Sequence, residues 1–98
     1  MADHDVCSSS PLRTRANSGE TLKNENTNPV NVRVDSTHPS SWPFSFPAAP
    51  FQINGRVGSN PGVQGVVLLN RSGTYYYVTS GCPGISKEDT NPKTVIIS

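Results

Sequence analysis

The most regular pattern in the chain is a strict alternation over residues 30–35, where Val30, Val32 and Val34 are separated by Asn31, Arg33 and Asp35. A period of two gives an extended segment one apolar and one wet face, so this stretch predicts a half-buried β-strand. It forms the second of two strands expected between Glu20 and Asp35, around the turn residues Asn26-Thr27-Asn28-Pro29. The run Val66-Val67-Leu68-Leu69 predicts a buried strand, and Thr74-Tyr75-Tyr76-Tyr77-Val78-Thr79 and Thr94-Val95-Ile96-Ile97 predict two more. In the tyrosine strand Tyr75 and Tyr77 share one face and Tyr76 takes the other. Asn54-Gly55, flanked by Phe51-Gln52-Ile53 and Arg56-Val57, predicts a two-residue hairpin turn, because both central residues of such a turn need positive φ. Asn60-Pro61-Gly62 and Asn70-Arg71-Ser72-Gly73 predict further turns, the second read as a hairpin although its first three residues spell a glycosylation sequon, and residues 81–92 predict a loop. No segment carries a helical period. About seven short strands at this spacing predict an all-β sandwich.

Two segments depart from the pattern. Residues 1–17, which include Ser8-Ser9-Ser10-Pro11, have no periodicity and are expected to form an arm, leaving 18–98 as the domain. Residues 36–50 contain Pro39, Pro43, Pro47 and Pro50, which remove backbone donors and fix φ, so neither regular sheet nor helix is expected there. The same loop carries Trp42, Phe44 and Phe46, with Phe51 just beyond. These rings either lie as a lid over one end of the core or form a contact surface for a partner. Tyr76, on the outward face of its strand, is a candidate for the same surface.

Composition narrows the function classes. In 98 residues, hydrophobic side chains make up 33% and charged ones 15%. So thin a core benefits from a covalent staple. Cys7 and Cys82 offer one: bonded, they would tie the arm to the last loop, and unbonded they are two unrelated thiols. Eight basic residues against seven acidic provide no basic stripe, so nucleic acid is not an expected partner. No apolar run approaches the length of a membrane span, and Met1-Ala2-Asp3-His4-Asp5 lacks the features of a secretory signal.

The last third of the chain resembles the cupredoxins, including the plant phytocyanins. These end in a strand of the form G-x-Y-x-Y-x-C, a ligand-bearing loop and a short apolar strand. Gly73-Thr74-Tyr75-Tyr76-Tyr77-Val78-Thr79 is similar to the first and Thr94-Val95-Ile96-Ile97 to the last. Upstream, Gly19-Glu20-Thr21-Leu22 through Asn26 resembles the family's G-E/D-x-V-x-x-x-N, and Pro29-Val30-Asn31-Val32 its P-H-N-V. The resemblance covers roughly residues 18–35 and 66–98 and implies a Greek-key sandwich. It does not extend to the chemistry. A blue-copper site needs two His, a Cys thiolate and a weak axial ligand. Val30 stands at the first His, Thr79 at the Cys, the second His falls near Cys82, and Ile85 is nearest to the axial position. The scaffold is therefore expected without copper.

Other chemistry is sparse. With Met1 removed, Ala2-Asp3-His4 would be an amino-terminal copper or nickel motif. His38, in Thr37-His38-Pro39, is expected to be a solvated loop residue. Neither a nucleophile elbow nor a nucleotide-binding motif occurs. The expectation is a non-catalytic module without cofactor or metal, working through a protein partner or self-association, with Trp42, Phe44, Phe46, Phe51 and Tyr76 as its contact residues. Two alternatives remain: a metal or redox protein using His4, His38 or Cys82 in a non-standard way, and a structural subunit of a virion or filament.

Overall fold

A computed structural model describes residues 3–8, 10–82 and 92–98. Among them no helix forms. Nine strands build two sheets: β1 (Asp3–Asp5), β2 (Leu12–Thr14), β3 (Gly19–Asn24), β4 (Val30–Val34), β5 (Phe44–Phe46), β6 (Phe51–Ile53), β7 (Gly62–Leu68), β8 (Gly73–Ser80) and β9 (Lys93–Ile97). One sheet has the order β1-β3-β7-β5 and the other β2-β9-β8-β4-β6. Up to β8 the chain alternates strictly between them, odd strands in the first sheet and even strands in the second. Among the described residues only β8 and β9 are consecutive strands that pair.

Inward positions follow the period of two. Leu22 of β3, Val30 and Val32 of β4, Val66 and Leu68 of β7, Tyr75 and Tyr77 of β8, and Val95 and Ile97 of β9 meet between the sheets. Tyr77 is wholly buried, and its hydroxyl donates to Val6 O at 3.2 Å, so the desolvated phenol, whose ionisation burial opposes, still has a partner. The Tyr75 hydroxyl donates to Arg71 O, four residues upstream, at 2.8 Å and pins the turn that feeds its own strand.

Four expectations change. The segment expected to be an arm supplies a strand to each sheet: β1 runs parallel to β3 and β2 parallel to β9, with Val6 and Leu12 in the core. Asn54-Gly55 makes no hairpin, because β6 pairs back onto β4 while β7 lies in the opposite sheet. Gly55 serves a close approach instead, since a Cβ there would run into the Thr27 carbonyl, and the Arg56 amide donates to Asn26 O at 2.6 Å. The tight turn comes later, where Val57 bridges Asn60 around Gly58 at φ +61°. Asn70-Arg71-Ser72 is likewise a crossing between sheets, from β7 to β8, and no hairpin turn. Finally, the Pro-rich segment contains a short edge strand, β5, between Pro43 and Pro47, against β7.

Buried Asn24 holds two of the crossings between sheets together, β3 to β4 and β6 to β7. Its Nδ2 donates to the carbonyls of Asn28 at 2.9 Å, Asn54 at 3.2 Å and Ile53 at 3.4 Å, and its Oδ1 accepts from the backbone and side-chain amides of Asn26, both at 3.0 Å. A fully buried amide is tolerated because both of its ends are bonded.

Candidate functional site

The aromatic residues of the Pro-rich segment divide into two groups. Phe44 is buried and sits at the centre of a cluster, with ring centroids 5.2 Å from Trp42, 6.0 Å from Phe51 and 5.9 Å from Tyr77. Trp42 and Phe51 are half-buried, meet each other at 5.8 Å edge to face, and the Trp42 indole donates to Pro47 O at 3.3 Å. These three rings close the space between the β5 edge and the β4–β6 edge. Phe46 is not among them and is 59% exposed.

A bulge separates the two phenylalanines. Positions 44 and 46 of an unbroken strand would face the same way. Here Phe44 stands opposite Leu68 and Phe46 opposite Val67, two residues of β5 against one step of β7. Leu68 points inward and Val67 outward, so Phe44 enters the core and Phe46 turns to solvent. The intervening Ser45 hydroxyl donates to Val67 O at 3.2 Å. Phe46 thereby joins exposed Val67 and Val63 on the outer side of the first sheet.

Tyr76 lies on the outer face of the other sheet, away from Phe46. It is half-buried, and the His38 imidazole covers its ring at 4.3 Å. His38 is held by Asp35, whose Oδ2 lies 2.7 Å from Nδ1, and Asp35 itself is almost wholly buried. The Thr37 amide and hydroxyl also donate to that carboxylate. The contact with His38, reinforced by Thr37, holds the Asp35 carboxyl below the usual carboxylate range against the opposing effect of burial. The sign follows directly. A depressed native pKa contributes stability that is present above the unfolded value and disappears as pH falls through the native one. The stability difference between wild type and Asp35→Asn is therefore expected to shrink on acidification below about pH 4. Urea titrations at a series of pH values measure it, and a difference that stays constant into strong acid contradicts the assignment.

The positions aligned with copper ligands carry other groups. Val30 is core, and Thr79 is fully buried with its hydroxyl donating to the Cys82 sulfur at 3.3 Å. Cys82 is bonded to Cys7 with Cα atoms 5.7 Å apart, and the Asn26 side-chain amide approaches the Cys7 sulfur at 3.6 Å. Both thiols are therefore consumed in a bond that joins the end of β1 to the end of β8, and so one sheet to the other. Ile85, with the rest of residues 83–91 where a loop is expected, lies outside the described residues, as does Ala2. His4, the other residue of the amino-terminal motif, belongs to β1 and pairs with Leu22. Its imidazole is half-buried, and desolvation lowers its pKa against the pull of Asp5 and Glu20. Among the described residues no group of three or more His, Cys, Asp or Glu side chains is placed to hold a metal. A shallow open groove lies among Arg33, Val34, Ala49 and Pro50.

Two features escaped the sequence reading. The Asp35–Thr37–His38 turn had a signal, since an Asp in a loop commonly accepts from the backbone amide two residues on, as Asp35 does from Thr37. The burial of Asn24 had none, because Asn24, Asn26 and Asn28 look alike as turn residues.

No family model matches the chain, and neither a curated protein nor a solved structure matches it.

Proposed function

We propose that the protein is a non-catalytic binding or assembly module on a copper-free, cupredoxin-like scaffold, and that it contacts another protein chain through the outer side of the first sheet around Phe46. The scaffold reading rests on the residue resemblances over 18–35 and 66–98, and the two-sheet architecture agrees with it. The copper-free reading rests on the aliphatic, hydroxyl and disulfide groups at Val30, Thr79 and Cys82. Phe46 carries the functional part: a large ring turned to solvent by a bulge, beside exposed valines, on a strand short enough to leave the sheet edge open. Trp42, Phe44 and Phe51 support this surface from beneath, and Tyr76 belongs to a different face.

Phe46→Ser tests the reading. An exposed side chain can be lost with a change in folding stability of within about 0.5 kcal/mol. Loss of a central aromatic contact weakens association by about 2 kcal/mol, roughly 30-fold. Wild type and variant are compared by native mass spectrometry after cross-linking in the producing cell. Complexes with the same chain or with another are expected for wild type and depleted for the variant. Equal amounts of every complex in both samples count against the Phe46 surface.

A further inference from the structure

The first sheet has an edge that β5 covers only in part. Phe44 and Phe46 pair with Leu68 and Val67, and among the described residues no strand continues that line past Val63–Val66. The direction of the free groups follows from the ladder. The Leu68 amide donates to Ser18 O on the β3 side, and the Leu69 amide donates to Pro43 O on the β5 side. Successive residues of a strand point their backbone groups to opposite sides. The amides and carbonyls of Val63 and Gly65 therefore face the uncovered edge. The Gln64 side chain of the same strand donates to the Gly65 carbonyl at 2.9 Å. Such a row is a template for an added strand, and no Lys, Pro or inward charge blocks it between Gly62 and Val66.

The sequence of the edge selects its occupant. We propose that a second copy of this chain adds its own β7 here, antiparallel, with the two-fold axis at Gln64. In that register Val63 stands opposite Gly65 of the second copy, and Gly65 opposite Val63. Both residues are edge-facing, so the pair exchanges two backbone hydrogen bonds on each side of the axis. Neighbouring registers do worse. A two-fold axis at Gly65 sets Val63 against Val67, whose edge β5 already occupies, and one at Val63 sets Gly65 against Pro61, which has no amide to donate. Side chains agree with the backbone. Val63 is 62% exposed and Val67 36%, both on the outer face, while the space where a Gly65 Cβ would stand is empty. Pairing about Gln64 lays each Val63 over the other copy's Gly65 and brings Val63 and Val67 of both copies into diagonal contact, with Phe46 alongside. The two four-stranded sheets become one sheet of eight.

This inference rests on the assembly reading above and names its partner and register. Two variants test it by sedimentation velocity across the micromolar range. Gly65→Pro removes an edge donor while leaving the β3 ladder intact, since the Gly65 amide points away from β3 and the position has open space. Val63→Lys places a charge on the edge without touching the core. Wild type is expected to sediment as a dimer and both variants as monomers with unchanged circular dichroism. Hydrogen exchange at Val63 and Gly65 is expected to be slow in wild type and fast in Val63→Lys, which keeps the test informative if Gly65→Pro misfolds. A wild type that stays monomeric, or a dimer that survives Val63→Lys, overturns the β7 pairing. If Phe46-dependent complexes with another chain persist in that case, the broader reading stands. If no Phe46-dependent complex of either kind is found, both fall.

Discussion

Replacing both cysteines, as Cys7→Ala/Cys82→Ala, is expected to lower the unfolding free energy by about 4 kcal/mol in the chain-entropy model. The size comes from the sequence separation of 75 residues, which makes the bond a constraint on most of the unfolded chain. A domain of this length has a total stability of about 5–15 kcal/mol, so the loss is a large share of the whole. The bond joins the end of β1 in one sheet to the end of β8 in the other, within the core beside the buried Val6. Because the bond acts mainly on the denatured ensemble, the variant is expected to unfold with a steeper dependence on denaturant as its unfolded chain expands. Urea titration of the oxidised wild type against the double variant measures both quantities. A difference under about 1 kcal/mol would mean that the unfolded chain without the bond already keeps enough residual structure to restrict it as much as the bond does.

Phe44→Ala is expected to have an effect of the same order. Truncating a buried Phe removes about 3–5 kcal/mol through lost transfer energy and the cavity left behind. Phe44 lies towards the upper end, because its ring meets Trp42, Phe51 and Tyr77 at once and the flanking Pro43 and Pro47 restrict the backbone that would have to collapse. A fall in Tm of roughly 20 °C follows for a domain of this size, with a red shift in Trp42 emission as water reaches the indole. Phe46→Ser, two residues along, leaves Tm nearly unchanged. If the two variants are equally destabilised, Phe46 is part of the lid after all and the contact surface must be sought elsewhere.

That contrast shows where the sequence was legible and where it was not. Val30 and Val32, and Tyr75 and Tyr77, announce their inward faces through the period of two in β4 and β8, whereas the unbroken apolar run Val95-Ile96-Ile97 announces a strand and not which of its faces is inward. Phe44-Ser45-Phe46 gives no such warning. Its flanking prolines predict no strand at all, and in the strand that does form only the bulge against Leu68 and Val67 sends the two rings to different faces. Asn54-Gly55 is a strong hairpin signal that lost to a longer-range choice, since Phe51–Ile53 gains more by pairing with Val30–Val32 than by folding onto its neighbour. The amino-terminal strands were hidden for a related reason. Asp3–Asp5 and Leu12–Thr14 are too short to show a period, and each is held by a partner far away in sequence. Of the contact residues expected from the sequence, Trp42, Phe44 and Phe51 share one cluster, while Phe46 and Tyr76 lie on opposite outer faces.

The alternation of strands between sheets fixes when each sheet can be completed. Before β8 and β9, no strand pairs with the one made just before or just after it. β9 lies inside its sheet, between β2 and β8, so β2 has no sheet partner until residues 93–97 exist. The nascent chain can therefore assemble the first sheet once residue 68 has been made, since β1, β3, β5 and β7 all lie before that point, whereas the second sheet cannot close until β9 has followed, and Cys7 must wait for Cys82, three quarters of the chain later. The two walls of the core are thus produced at different times, and the inner side of the first sheet gains its full cover only when the last strand is in place.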